Sequence, residues 1–108
     1  MDIGQYQIQA RAFKKYSKEF EITYPALGLS SEVGEVCDKL KKIMRDKNNK
    51  MTVEDRTEIL KEIGDVLWYL AMLCDDLKMP LDQAACMNLQ KLNSRLSRNV
   101  INGSGDNR

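Results

Sequence analysis

The chain has 108 residues, a net charge of +1, 43% hydrophobic and 31% charged residues, and no histidine. It is one domain of ordinary composition, able to bury about two-thirds of its unfolded surface without a disulfide or a structural metal; its balanced charge excludes a global basic field for nonspecific nucleic-acid binding. The missing histidine excludes Ser-His-Asp and Cys-His nucleophilic sites and the Glu-x-x-His ligands of di-iron bundles, leaving carboxylates, lysines, tyrosines or a metal to carry any chemistry.

Strand signals are nearly absent, and the periodicity predicts four helices. The first spans about Ile3 to Phe20, with Tyr6, Ala10, Phe13, Tyr16 or Ser17, and Phe20 on one face. It is expected to stop before Thr23-Tyr24-Pro25, because the residue before a proline is pushed out of helical geometry. The second spans about Ala26 to Arg45, with an apolar stripe of Leu29, Val33, Val36, Cys37, Leu40 and Met44. A polar turn, Asp46 to Lys50, follows.

Thr52 is placed to cap the third helix, with Asp55 completing a weaker form of the capping box. That helix reaches about Leu77 and changes character midway. Ile59, Leu60 and Ile63 make an ordinary stripe, whereas Val66 to Cys74 is apolar all round. A helix of that kind is buried on every side, and a four-helix chain this small cannot cover it alone. A second copy is therefore expected. The fourth helix starts near Pro80 and carries Leu81, Ala85, Leu89, Leu92 and Leu96 as its core stripe. Residues 99–108 lack periodicity and are read as a flexible tail on a domain of residues 1–98. The fold class is all-α, a four-helix bundle completed by oligomerisation. Cys37, Cys74 and Cys86 are odd in number, form no C-x-x-C pair, and are expected to be buried and reduced. No signal-peptide pattern or membrane-length apolar run occurs, so a cytoplasmic protein is expected, with neither membrane nor nucleic acid as partner.

The candidate chemistry lies in two acidic pairs. Glu32 and Glu35 are three apart on the second helix, and Glu62 and Asp65 are three apart on the third. Residues at that spacing share a helix side, so pairs on adjacent packed helices would face each other. Four carboxylates that close repel unless cations lie between them. Magnesium takes hard oxygen ligands and keeps waters, and carboxylate-held magnesium assists attack of water on a phosphate. A carboxylate not committed to metal can take the proton. On spacing alone the pairs read less readily as metal ligands than as solvated surface acids. Asp38, Glu54, Asp55, Glu58, Asp75 and Asp76 are read that way. On the fourth helix Asn88, Lys91, Arg95 and Arg98 form a basic flank suited to phosphate oxygens or to solvent.

The segments Ala26-Leu27-Gly28-Leu29-Ser30-Ser31-Glu32-Val33-Gly34-Glu35-Val36 and Lys61-Glu62-Ile63-Gly64-Asp65-Val66-Leu67-Trp68-Tyr69-Leu70 resemble the MazG-like nucleoside triphosphate pyrophosphohydrolases, all-α enzymes related to the dimeric dUTPases. The likeness covers most of the chain, from the Tyr6-Gln7 helix start to the Gly-Ser-Gly-Asp-Asn-Arg tail. It implies magnesium-dependent hydrolysis of a nucleoside triphosphate to monophosphate and pyrophosphate, a nucleotide house-cleaning role, and a homodimer or homotetramer. By the same resemblance Glu32, Glu35, Glu62 and Asp65 would hold Mg2+, with Glu32 or Glu35 polarising the attacking water. Tyr69 would touch the nucleotide, and Lys91 and Arg95 would contact phosphate. Trp68 and the aromatics of the first helix are candidates for a base pocket, and Gln7 for base recognition. Many members open the first motif with a Glu-Glu doublet; here its first position is Ser31. Four acids remain rather than five, leaving ion count and base identity open. The alternatives are a non-catalytic nucleotide binder and a helical interaction module.

Overall fold

The computed structural model describes residues 1–108 and is all-helical. Helix α1 spans Ile3–Ala10, α2 Thr23–Asp46, α3 Val53–Asp76 and α4 Leu81–Ser97. Helices α2 and α3 form an antiparallel hairpin across a short turn. The Thr52 hydroxyl accepts from Asp55 N and the Asp55 carboxylate accepts from Thr52 N, so the expected capping box is formed. Lys47 binds the same carboxylate at 2.7 Å and, with the cap, holds Asp55 down to about 2.

Two helix boundaries differ from the periodic reading. The first helix ends at Ala10; Arg11–Phe13 and Lys18–Phe20 are single 3-10 turns. No proline or glycine breaks it. Long-range hydrogen bonds do so by drawing Lys14 and Tyr16 onto the end of α3. Helix α2 begins at Thr23, ahead of Pro25 rather than after it. Proline fits in a first turn because the N–H it lacks would have had no intrahelical partner. Pro25 is fully buried there.

The α3–α4 turn is a Schellman motif, with Met79 N donating to Cys74 O and Lys78 N to Asp75 O. Lys78 occupies the left-handed position, φ 58°, usually given to glycine. Gln7 of α1 fastens this turn, donating to Met79 O at 3.1 Å and accepting from Leu81 N at 2.8 Å. The cluster beneath consists of Ala10, Ala71, Met72 and Leu81, flanked by Ile3, Tyr6, Leu67, Trp68 and Cys74.

Only nine residues are buried. The accessible surface is 8012 Å² for 12.4 kDa, whereas a folded monomer of that mass exposes roughly 6,100 Å². The radius of gyration is 16.9 Å, against about 13 Å for a closed domain of this length. The surplus is apolar: Leu89 and Leu96 of the expected α4 stripe are 60% and 69% exposed, and Leu40 and Met44 of α2 also face outward. Cys37 and Cys86 are exposed as well, contrary to the expectation that all three thiols are buried. Only Leu81 of the α4 stripe joins the core, while Val33, Leu40 and Met44 of the α2 stripe stay exposed. The tail lies against α4, with Asp106 bound to Lys91 at 2.7 Å and to Arg95 at 3.3 Å. No helix is long and apolar enough to cross a membrane.

Candidate active site

Helices α2 and α3 bring carboxylate oxygens of Glu32, Glu62 and Asp65 within 4.8 Å of one another. The helical register does this directly: Glu62 and Asp65 are one turn apart on α3, and Glu32 meets them from the facing side of α2. Glu35, the fourth expected acid, lies outside that trio and is exposed. It is still close enough that its charge acts on Glu32. Partial burial first, then the charges of Asp65, Glu62 and Glu35, raise the Glu32 carboxyl above its usual range. The one cation on the trio is Lys39, 3.4 Å from Glu62. Three like charges with one long ion pair form an uncompensated cluster of hard oxygen donors, which is the donor set magnesium selects.

Tyr69, one turn beyond Asp65, stands at the border of this cluster. Its phenol is raised by burial, then by Tyr24, and then by the charges of Glu32 and Asp65. Its ring lies so close to Gly28 that a β-carbon there would collide with it. Glycine is therefore required at position 28 by the approach of an aromatic ring from α3, a requirement that periodicity does not reveal.

Beyond Tyr69 the structure opens into an aromatic recess of about 540 Å³, walled by Phe13, Tyr16, Phe20, Tyr24, Trp68 and Tyr69 with Lys15 and Ser17 as polar members. Tyr16 stacks on Tyr24 at 4.6 Å and 23°, Tyr24 leans on Tyr69 at 6.4 Å, and Trp68 meets Tyr69 edge-on at 5.0 Å. Trp68 also donates its indole N–H to Ala10 O at 3.1 Å, which fixes the ring against the end of α1. Carboxylate cluster, Tyr69 and recess thus follow one another.

The geometry gives Gln7, Lys91, Arg95, Asp75 and Asp76 partners that spacing does not reveal. Both ends of the Gln7 amide are used by the α3–α4 turn, which makes Gln7 a structural cross-link between α1 and that turn. Lys91 and Arg95 are engaged by Asp106, and Arg95 is buried, with its Nη2 also donating to Asp106 O at 2.6 Å. Asp75 and Asp76 are not solvated: their side chains are 10% and 0% exposed, paired with Arg11 and Lys14.

The family model for the MazG nucleotide pyrophosphohydrolase domain matches residues 21–99, and the chain belongs to that family. It is 47% identical over 87 residues, 81% of this chain and 76% of the other, to a protein of Mycobacterium phage L5 named only Gene 37 protein. No solved structure matches. The matched stretch contains all four carboxylates, Tyr69 and the basic flank of α4.

Proposed function

We propose that the chain hydrolyses nucleoside triphosphates to a monophosphate and pyrophosphate, with Glu32, Glu35, Glu62 and Asp65 as the Mg2+ ligands. The observation that carries this is the convergence of Glu32, Glu62 and Asp65 within 4.8 Å with only Lys39 to offset them. Bound there, magnesium would neutralise the acids, polarise phosphate oxygens and lower the pKa of a coordinated water. Of the four, Glu35 lies outside the tight trio, is the least committed to the ion, and is the one we assign to take that water's proton. Tyr69 separates the phosphate end from the aromatic recess, which accepts the base by stacking between flat rings. Lys91 and Arg95 already hold an anion, the Asp106 carboxylate, and planar or paired cations of this kind suit phosphate.

The working unit of this proposal is a homodimer or homotetramer in the cytoplasm. The excess surface and the outward leucines of α4 support it, since an apolar face this size marks an interface. The nucleotide house-cleaning role follows from the same reading.

The test is direct. Purified protein, Mg2+ and a panel of nucleoside triphosphates should release pyrophosphate, not phosphate. Glu35→Gln should reduce turnover on the order of 10²–10³-fold or more with an unchanged melting curve. Turnover near that of the parent protein would remove Glu35 from the mechanism, and no pyrophosphate from any substrate would remove the enzymatic reading altogether.

A further inference from the structure

We propose that Asp76 is a positioning residue that shapes the base-recognition wall, by gathering the irregular segment 11–22 onto the far end of the helix that carries the metal-ligating acids. The inference rests on the aromatic recess accepting the base.

Asp76 is the last residue of α3, and its side chain is fully buried. Its carboxylate accepts from Lys14 Nζ at 2.6 Å, from the Tyr16 hydroxyl at 2.7 Å and from Ile22 N at 2.9 Å. All three donors come from the connection between α1 and α2. That connection has only two isolated 3-10 turns, so regular hydrogen bonding does not dictate its path. It nevertheless supplies Phe13, Tyr16 and Phe20 to the recess.

The path is also strained. Ile22 has φ 70° and ψ −57°, and Thr23 N donates to Glu21 O at 2.8 Å across it. That is the γ-turn geometry rarely adopted, and least of all by a β-branched residue. Strain of this sort persists only where surrounding contacts over-determine it, and Asp76 holds the Ile22 N–H in place. The same carboxylate fixes the Tyr16 phenol and hence the ring stacked on Tyr24, which in turn leans on Tyr69 beside Glu32 and Asp65.

A buried carboxylate is a poor device for stability alone, since apolar packing stabilises as well without the desolvation cost. Three converging donors give it directional control over one loop conformation. Since α3 carries Asp65 near its middle and Asp76 at its end, a single rigid element sets the spacing between phosphate site and base wall.

The test is steady-state kinetics of the full chain with dATP, dCTP, dGTP and dTTP, together with inhibition by pyrophosphate, which meets only the phosphate end. Asp76→Asn should raise KM about 10-fold or more while kcat stays within about 3-fold, the signature of lost uniform binding. Inhibition by pyrophosphate should be unchanged. Tyr16→Phe, which keeps the ring and loses the donor, should raise KM about 3-fold. It decides the question in the same way if Asp76→Asn does not fold. Phe20→Ala probes the recess independently. A raised KM in Phe20→Ala with an unchanged KM in the other two variants would overturn the positioning role and leave the recess standing. An unchanged KM in all three would overturn the recess reading and this inference with it. A fall in kcat alone in Asp76→Asn would show a merely structural residue and also overturn it.

Discussion

Helix α3 carries two acidic pairs, Glu62 with Asp65 and Asp75 with Asp76, and the protein treats them oppositely. At the helix end every carboxylate has cationic partners: Arg11 and Lys14 on Asp75, Lys14 on Asp76, and two further donors, Tyr16 and Ile22 N, on the latter. Burial opposes ionisation of both, yet the hydrogen bonds and charges prevail and hold them below the usual carboxylate range. In the middle, Glu62 and Asp65 meet a third acid, Glu32, and only Lys39 answers, at 3.4 Å. There the balance runs the other way, and Glu32 is raised. A carboxylate pair neutralised by its own chain is structural; a pair left repelling invites a ligand. The contrast sets the proposed site apart from the scaffold on one helix, where residue type alone does not.

The largest expected effect concerns the neutralised pair. Asp76→Ala leaves Lys14, Tyr16 and Ile22 N without their buried acceptor and should cost about 3–5 kcal/mol of stability, the range for breaking a buried ion pair from one side. Chemical denaturation of variant and parent gives that number, and a loss below about 1 kcal/mol would erase the contrast.

Acid titration is next. Because Asp75 and Asp76 have depressed folded-state pKa values, the stability they contribute is complete above the ordinary aspartate range, near pH 4, and is lost as pH falls through their lower folded values. Melting temperatures should therefore be level from neutrality to about pH 5 and drop below about pH 4. Asp76→Asn should flatten that drop.

The smallest effect is on the unneutralised cluster without metal. Glu32→Gln removes one of three crowded charges and should stabilise the metal-free protein by about 1 kcal/mol or less, while turnover is lost. A destabilised variant would show that Glu32 is held by contacts of its own.

Much of this was legible in the sequence. The four helices, the Thr52–Asp55 capping box and the facing of Glu32 on Glu62 and Asp65 follow from local spacing, which periodicity reads well. What escaped depends on contacts between distant residues. The break after Ala10, the burial of Asp75 and Asp76, and the strained Ile22 are one event, the folding of the 11–22 connection onto α3. Its donors, a lysine, a tyrosine of the apolar face and a backbone N–H, carry no sequence signal for that contact. The cross-link made by Gln7 is hidden for the same reason: its partners, Met79 and Leu81, lie more than 70 residues away. Gly28 could have been noticed within a helix, but the ring of Tyr69 that demands it comes from α3.

The measurement that bears most directly on the contrast is a calorimetric titration of Mg2+ into the parent protein, Glu62→Gln and Asp75→Asn. The parent and Asp75→Asn should bind Mg2+ alike, and Glu62→Gln should bind at least about 10-fold more weakly. Equal binding by all three, or loss confined to Asp75→Asn, would contradict the assignment of the α2–α3 carboxylates as the metal site.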